Sequence, residues 1–264
     1  MKIFGGIAVA LALLLLGGCG EEDGGRTTEA KTTAAPVEKP EPKPQNLRPL
    51  EITVDGYPNP DYAGLFLAQQ RGYFEDAGLD LSIHTPILPS KALPYVAEGT
   101  VDLAVSHEPE VVLARERGVP VIAVGALLGR PTTALIWLKK SPIRAVADLA
   151  GKTVATEGLP YQESFLQAIL AEEGLGLEDV KVVTVGYDLT SALESGRVDA
   201  IIGGSWNVEG LQVQADGPEP VVVPVADQGI DGYDELVLIA RQDRLHRIGD
   251  KVRDFISALA RGTR

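Results

Sequence analysis

VDGYPNPDYAGLFLAQQRGYFEDAGLDL, residues 54–81, decides the fold. Ile52 and Val54 alternate with polar neighbours and run into a turn rich in Pro and Asn. The Ala63–Gln70 run is helix-forming up to Gly72, a natural stop. Gly78 ends a second short helix, and Leu79, Leu81 and Ile83 alternate as the next strand. Strand, helix, strand in this order builds a parallel sheet. Ligands in open parallel sheets sit beyond the carboxyl ends of strands, so the loop Tyr57–Tyr62 lies where a small molecule would be held. An ordinary βα loop with no ligand reads equally well from this stretch alone.

Downstream, Ser90 is expected to cap a helix carrying Leu93 and Val96, and Val101–Val105 is a buried strand followed by Ser-His-Glu-Pro-Glu at 106–110. Pro109 suits the first turn of the next helix, which stops at Gly118 before a strand at Pro120–Val124. Thr132–Lys139 reads as another strand. A second round then begins near Asp148, with strands at Lys152–Thr156, Val180–Val185 and Val198–Ile202 and a helix at Tyr161–Glu172. Gly99-Thr100-Val101-Asp102 and Gly196-Arg197-Val198-Asp199 match, each leading from a helix into an apolar strand that delivers a polar loop. Two α/β lobes of similar plan account for this, although Gly-x-Val-Asp is also a common helix-to-strand turn.

If both lobes turn their strand ends to one crevice, loops 57–62, 106–110 and 203–209 converge there. They supply carboxylates at Asp61, Glu108, Glu110 and Glu209, amides at Asn59 and Asn207, aromatics at Tyr57, Tyr62 and Trp206, and the polar pair Ser106 and His107. Aromatic faces with fixed acceptors suit a flat heterocycle that donates hydrogen bonds. Lys and Arg are absent from all three loops, which disfavours a strongly anionic ligand. Glu110 at a helix start also serves the helix dipole, His107 also fits a structural loop position, and a lone Trp206 is commonly core.

The 264 residues suffice for one large domain or two lobes. Their 24 Lys and Arg against 37 Asp and Glu give a net charge of −13, which argues against nucleic acid as a partner. Cys19 is the chain's one cysteine, which excludes an internal disulfide and cysteine-built metal centres. Lys2 and the apolar run Ile7–Leu16 form a signal-like leader at 1–18, and Leu16-Gly17-Gly18-Cys19 resembles a bacterial lipobox in which the cysteine is acylated. Residues 19–49, acidic and then rich in Pro, Lys and Glu, read as a tether. No GxxxxGK[ST], GxGxxG, GxSxG or HExxH pattern occurs, and His84, His107 and His246 form no pair at metal-ligand spacing, so no metal or cofactor is expected.

Taken as a set, the opening stretch, VDLAVSHEPEVVLARERGVPV, GLPYQESFLQAILAEEGL, GRVDAIIGGSWNVEG and YDELVLIA resemble the type II periplasmic substrate-binding proteins of ABC importers, in the branch that binds thiamine pyrimidine precursors. The resemblance implies two doubly wound lobes joined by two crossing strands: 50–137 as the first part of lobe 1, 138–226 as lobe 2 and 227–264 as the return to lobe 1. It implies a formylaminopyrimidine or hydroxymethylpyrimidine ligand, stacked by Trp206 and Tyr62. It also brings Glu157 and Tyr161 to the cleft from lobe 2 and puts Asp234 and Glu235 near the return crossing. The implied partners are an ABC permease with its ATPase and, through Cys19, the outer face of the cytoplasmic membrane. Gly56 stands where many relatives carry a stacking Trp, Tyr62 where many carry His, and the chain looks short at its C-terminus. Two other classes fit the fold: a pyridoxal-phosphate-dependent pyrimidine synthase, whose cysteine-rich motif is missing, and a binding protein for another solute such as an alkyl sulfonate.

Overall fold

In the first half the chain runs through β1 (Arg48–Thr53), α1 (Ala63–Gln70), α2 (Tyr73–Asp76), β2 (Leu79–His84), α3 (Ala92–Glu98), β3 (Leu103–Ser106), α4 (Glu108–Glu116) and β4 (Val121–Leu128). The second half holds β5 (Thr133–Leu138), β6 (Thr153–Thr156), α5 (Pro160–Glu172), β7 (Lys181–Thr184), α6 (Leu189–Glu194), β8 (Ala200–Ser205), α7 (Glu209–Ala215) and β9 (Pro220–Pro224). The chain then returns as β10 (Leu236–Arg241) and α8 (Leu245–Gly262). These elements come from a computed structural model that describes residues 46–264. The leader, Cys19 and most of the tether expected at 19–49 lie outside the described residues.

Two five-stranded sheets follow one plan, ordered β2-β1-β3-β10-β4 and β7-β6-β8-β5-β9. In each, three parallel strands are extended by an antiparallel strand that arrives from the other half, β10 in the first sheet and β5 in the second. The repeated Gly-x-Val-Asp is part of this plan. Gly99 and Gly196 both adopt the left-handed conformation, at φ 79° and 72°. Each following Asp then accepts from a backbone N–H of the neighbouring parallel strand: Glu51 N donates to Asp102 Oδ2 at 3.3 Å, and Thr153 N to Asp199 Oδ2 at 2.8 Å.

Strand alternation buries both faces of each sheet. In the first, Leu50, Ile52, Leu103 and Leu238 pack with α1, α2 and α8, where Phe74 and Phe255 stack at 5.0 Å, and Ala104, Val237 and Ile239 pack with Leu93, Val96 and Val111 on the other face. In the second, Leu135, Trp137, Val154 and Ile202 face Leu166 and Ile169, and Ile136, Ala155 and Ile201 face Leu189 and Leu193. Each of the large aliphatic and aromatic side chains taken out of water contributes roughly 1.5–3 kcal/mol, and the alanines less.

Four expectations need correction. The strand at 133–138 belongs to the second sheet, pairing with β8 and β9, so the chain leaves the first half between Leu128 and Thr133 rather than after 137. Its six residues are all buried; such a run reads as a strand, but which sheet takes it is a long-range pairing that local pattern does not encode. The links at 129–132 and 225–235 are not themselves strands; β5 and β10 are the strands that each crossing delivers. β1 begins at Arg48, inside the expected tether, because Arg48 N donates to Gly78 O and its guanidinium pairs with Asp254. Ser90 caps nothing: it sits inside a 3₁₀ turn at Pro89–Lys91, and α3 starts without a side-chain cap.

Candidate functional site

Loops at the carboxyl ends of the parallel strands meet between the two sheets around a cleft of about 260 Å³. Asp55 to Tyr62 follow β1, His107 follows β3, Glu157 and Leu159 follow β6, Tyr187 to Thr190 follow β7, and Gly203 to Glu209 end β8. Glu235 enters just before β10. Five lining side chains are carboxyls, Asp55, Asp61, Glu157, Glu209 and Glu235; among the described residues the one basic side chain is His107, and no Lys or Arg lines the cleft.

The first-half wall starts with Asn59, whose Oδ1 accepts from Asp61 N at 2.9 Å and caps the 3₁₀ turn Pro60–Tyr62. That turn aims Asp61 across the cleft, where Asn207 Nδ2 donates to its Oδ1 at 2.6 Å. Burial raises the Asp61 pKa, Asn207 opposes this, and Glu235 and Asp55 add to the rise. Tyr62 is buried, packs edge-on against Phe66, and has a hydroxyl with no hydrogen-bond partner. At the mouth, the exposed Tyr57 ring lies 4.5 Å from that of Tyr187, whose hydroxyl donates to Asp55 O and Pro86 O, 3.2 and 3.1 Å away.

The second-half wall is built on Gln162. Its Oε1 accepts from Glu157 N at 2.9 Å and its Nε2 donates to Glu157 Oε2 at 2.9 Å. Gly203, at φ 108°, lets this amide lie against the backbone: a Cβ there would come within 2.1 Å of Gln162 Nε2. Burial lifts Glu157 to about 8, helped by the nearby Glu209 and opposed by His107. Glu209 is also raised, by burial first, although Ser205 N donates to its Oε2 at 2.6 Å.

His107 is buried between two acids. Its Nε2 is 2.9 Å from Asp55 Oδ2 and its Nδ1 3.0 Å from Glu235 Oε1. Burial by itself would lower its pKa, but these two bonds raise it well above the usual histidine range. Glu235 also accepts from the backbone N–H groups of Thr132 and Thr133 and from the Thr133 hydroxyl. Burial opposes its ionisation, yet His107 and the threonines hold it down at about 2.

Seven expected residues therefore line the cleft: Tyr57, Asn59, Asp61, Tyr62, His107, Glu157 and Glu209. Asn207 adjoins it through Asp61. The other five stand elsewhere. Ser106 donates to Glu110 at 2.6 Å behind the wall, and Glu108 accepts from Asp234 N at 2.6 Å, so Glu108 and Asp234 brace the return link. Tyr161 is buried against His107 and Phe165. Trp206, expected to stack on the ligand, instead lines a separate groove with Leu211, Pro220 and Pro224. Asp55, Tyr187 and Gln212 line the cleft without having been expected there, and Glu235, expected only near the return crossing, lines it too. Asp55 was the first polar residue beyond β1, and Tyr187 holds the corresponding place after β7; that shared place was the available signal.

Two sheets of this order with a cleft between them make the fold of the periplasmic binding proteins. The aliphatic sulphonate binding protein SsuA of Escherichia coli has that fold and matches with a TM-score of 0.63 at 19% identity, over 81% of this chain and 72% of that one. A model of the NMT1/THI5 like family matches residues 59–264, and the chain belongs to that family. The formylaminopyrimidine-binding protein of Halalkalibacterium halodurans is 31% identical over 262 residues, 99% of this chain and 74% of that protein. The 4-amino-5-hydroxymethyl-2-methylpyrimidine phosphate synthase of Schizosaccharomyces pombe is 27% identical over 213 residues, 77% of this chain and 61% of that protein.

Proposed function

We propose that this chain is the solute-binding component of an ABC importer and that its ligand is an aminopyrimidine of the thiamine-precursor kind, such as formylaminopyrimidine or hydroxymethylpyrimidine. In this reading Cys19 carries the lipid that holds the protein at the outer face of the cytoplasmic membrane, and the ligand passes to a permease driven by its ATPase. One observation carries the ligand class: among the described residues the cleft offers carboxyls and tyrosines and no Lys or Arg. An aminopyrimidine presents an exocyclic amine as donor beside a ring nitrogen as acceptor. A carboxyl that keeps its proton near neutrality, as Glu157 does, donates to the ring nitrogen and accepts from the amine in one two-point contact. The cleft volume suits a single substituted ring, at the small end of ligand pockets.

The same lining argues against the other classes. A sulfonate would face five carboxyls and one imidazole. Pyridoxal phosphate, the cofactor of the synthase reading, needs a lysine for its Schiff base and cationic or bare N–H groups for its phosphate; the cleft lining does not fit it.

Titration calorimetry of the purified protein with hydroxymethylpyrimidine and its formylamino relative tests this. A Kd of about 1 µM or tighter is expected for one of them, and no heat with an alkyl sulfonate. Absence of heat with both pyrimidines from a folded sample, or binding of the sulfonate alone, would overturn the ligand class. Tyr57→Ala is expected to weaken binding about tenfold by removing an aromatic face at the mouth. Trp206→Ala, in its separate groove, is expected to leave the Kd unchanged.

A further inference from the structure

His107 occupies the point where four parts of the molecule meet. It lies at the end of β3 in the first half, and its ring packs 4.9 Å from Tyr161 of α5 in the second. Through Nδ1 it bonds Glu235, the last residue of the return link. Glu235 in turn accepts from the backbone of Thr132 and Thr133, where the first link becomes β5. A single carboxylate thereby ties together the two links on which the halves can rotate. Through Nε2, His107 bonds Asp55, which faces the cleft. An ionised carboxylate only accepts, so with one at each nitrogen both ring N–H groups donate and the ring is an imidazolium. Tyr161 faces the ring from α5, and the charges of Glu110, Asp61 and Glu157 are also felt at His107.

We propose that Asp55, His107 and Glu235 form a relay between cleft and hinge, in which His107 is a positioning residue that orients the Asp55 carboxylate toward the ligand and fixes the rotation of the two halves. The ligand-facing end rests on the function proposed above; the hinge end does not. Rotation about the links is the usual closing motion of two-lobed binding proteins, and here it is pinned at Glu235. A ligand that donates to Asp55 meets an acceptor already oriented by His107, so ordering that side chain adds little to the entropy lost on binding.

Two ligand-free measurements on the full chain test the relay. In wild type at pH 8, nitrogen NMR of the imidazoles is expected to show His107 with both nitrogens protonated; a neutral tautomer would overturn it. In His107→Gln, backbone dipolar couplings in aligned medium are expected to require separate alignment tensors for the two halves, where wild type fits one. A variant that still fits a single tensor as tightly as wild type would also overturn it. Because neither measurement uses a ligand, failure of pyrimidines to bind would count against the proposed function and not against the relay.

Discussion

Glu235→Ala is expected to destabilise the protein by about 3–5 kcal/mol, the usual range for removing one partner of a buried ion pair. Five donors lose their acceptor together: the N–H groups of Thr132 and Thr133, the hydroxyls of Thr133 and Tyr233, and His107 Nδ1. Glu235 is 1% exposed, so water cannot replace the carboxylate without opening the link. His107 limits the damage by releasing a proton, because half of what holds its charge is gone. Glu235→Gln keeps one acceptor oxygen and is expected to lose about half as much. The pH dependence gives a second readout. Glu235 titrates at about 2 when folded, against 4.5 ordinarily. Its contribution is therefore complete above pH 4.5 and is lost as the pH falls toward 2. Urea denaturation between pH 7 and 3 should show wild type losing stability over that range and the alanine variant losing less. Equal stability of wild type and Glu235→Ala at pH 7 would show that the carboxylate does not clamp the links.

The sequence shows which loops reach the cleft better than which of their side chains face it, for a physical reason. Loops after β1 and β3 are short, polar and bounded by strong strand and helix signals, so Tyr57, Asn59, Asp61 and His107 could be placed from pattern alone. The matched Gly-x-Val-Asp turns likewise predicted equivalent strands, and those strands occupy the same place in the two sheets. Trp206 went wrong because Gly203 and Gly204 indicate a close approach without saying what approaches. At Gly203 it is the Gln162 amide, and Trp206 lies in another groove. Glu108 and Ser106 read as ligand groups because a loop carboxylate and hydroxyl look alike whether they face a cleft or a neighbouring backbone. Their partners, Asp234 N and Glu110, differ greatly in sequence distance, 126 and 4 residues away. For Gly203 and Glu108 the partner is tertiary, which no local periodicity supplies; for Ser106 it is the carboxyl one helical turn on.

Glu157→Gln separates two ways of reading the acid wall. In wild type the Glu157 carboxyl is raised from 4.5 to about 8 by burial and by Glu209. The folded state therefore holds this proton more tightly than the unfolded chain does. Stability is greatest below pH 4.5 and declines as the pH rises through about 8, by an amount on the order of 4 kcal/mol. Glutamine has the shape of the protonated acid and does not titrate. Gln162 Oε1 still accepts from the backbone N–H groups of residues 157 and 159, and the new amide oxygen at 157 can accept from Gln162 Nε2 as the carboxyl oxygen did. Thermal unfolding should then find variant and wild type similar at pH 4 and the variant more stable at pH 9; parallel pH curves would show that Glu157 titrates normally. Ligand binding follows from the same proton. If an aminopyrimidine pairs with the neutral acid, glutamine reproduces both hydrogen bonds, donating from its amide to the ring nitrogen and accepting the exocyclic amine at its oxygen. Affinity at pH 7 should then stay within about threefold of wild type, and it should remain flat above pH 8 where wild-type binding weakens. A loss of about a hundredfold at pH 7 would mean instead that the ligand carries the proton and that the site needs Glu157 as a carboxylate.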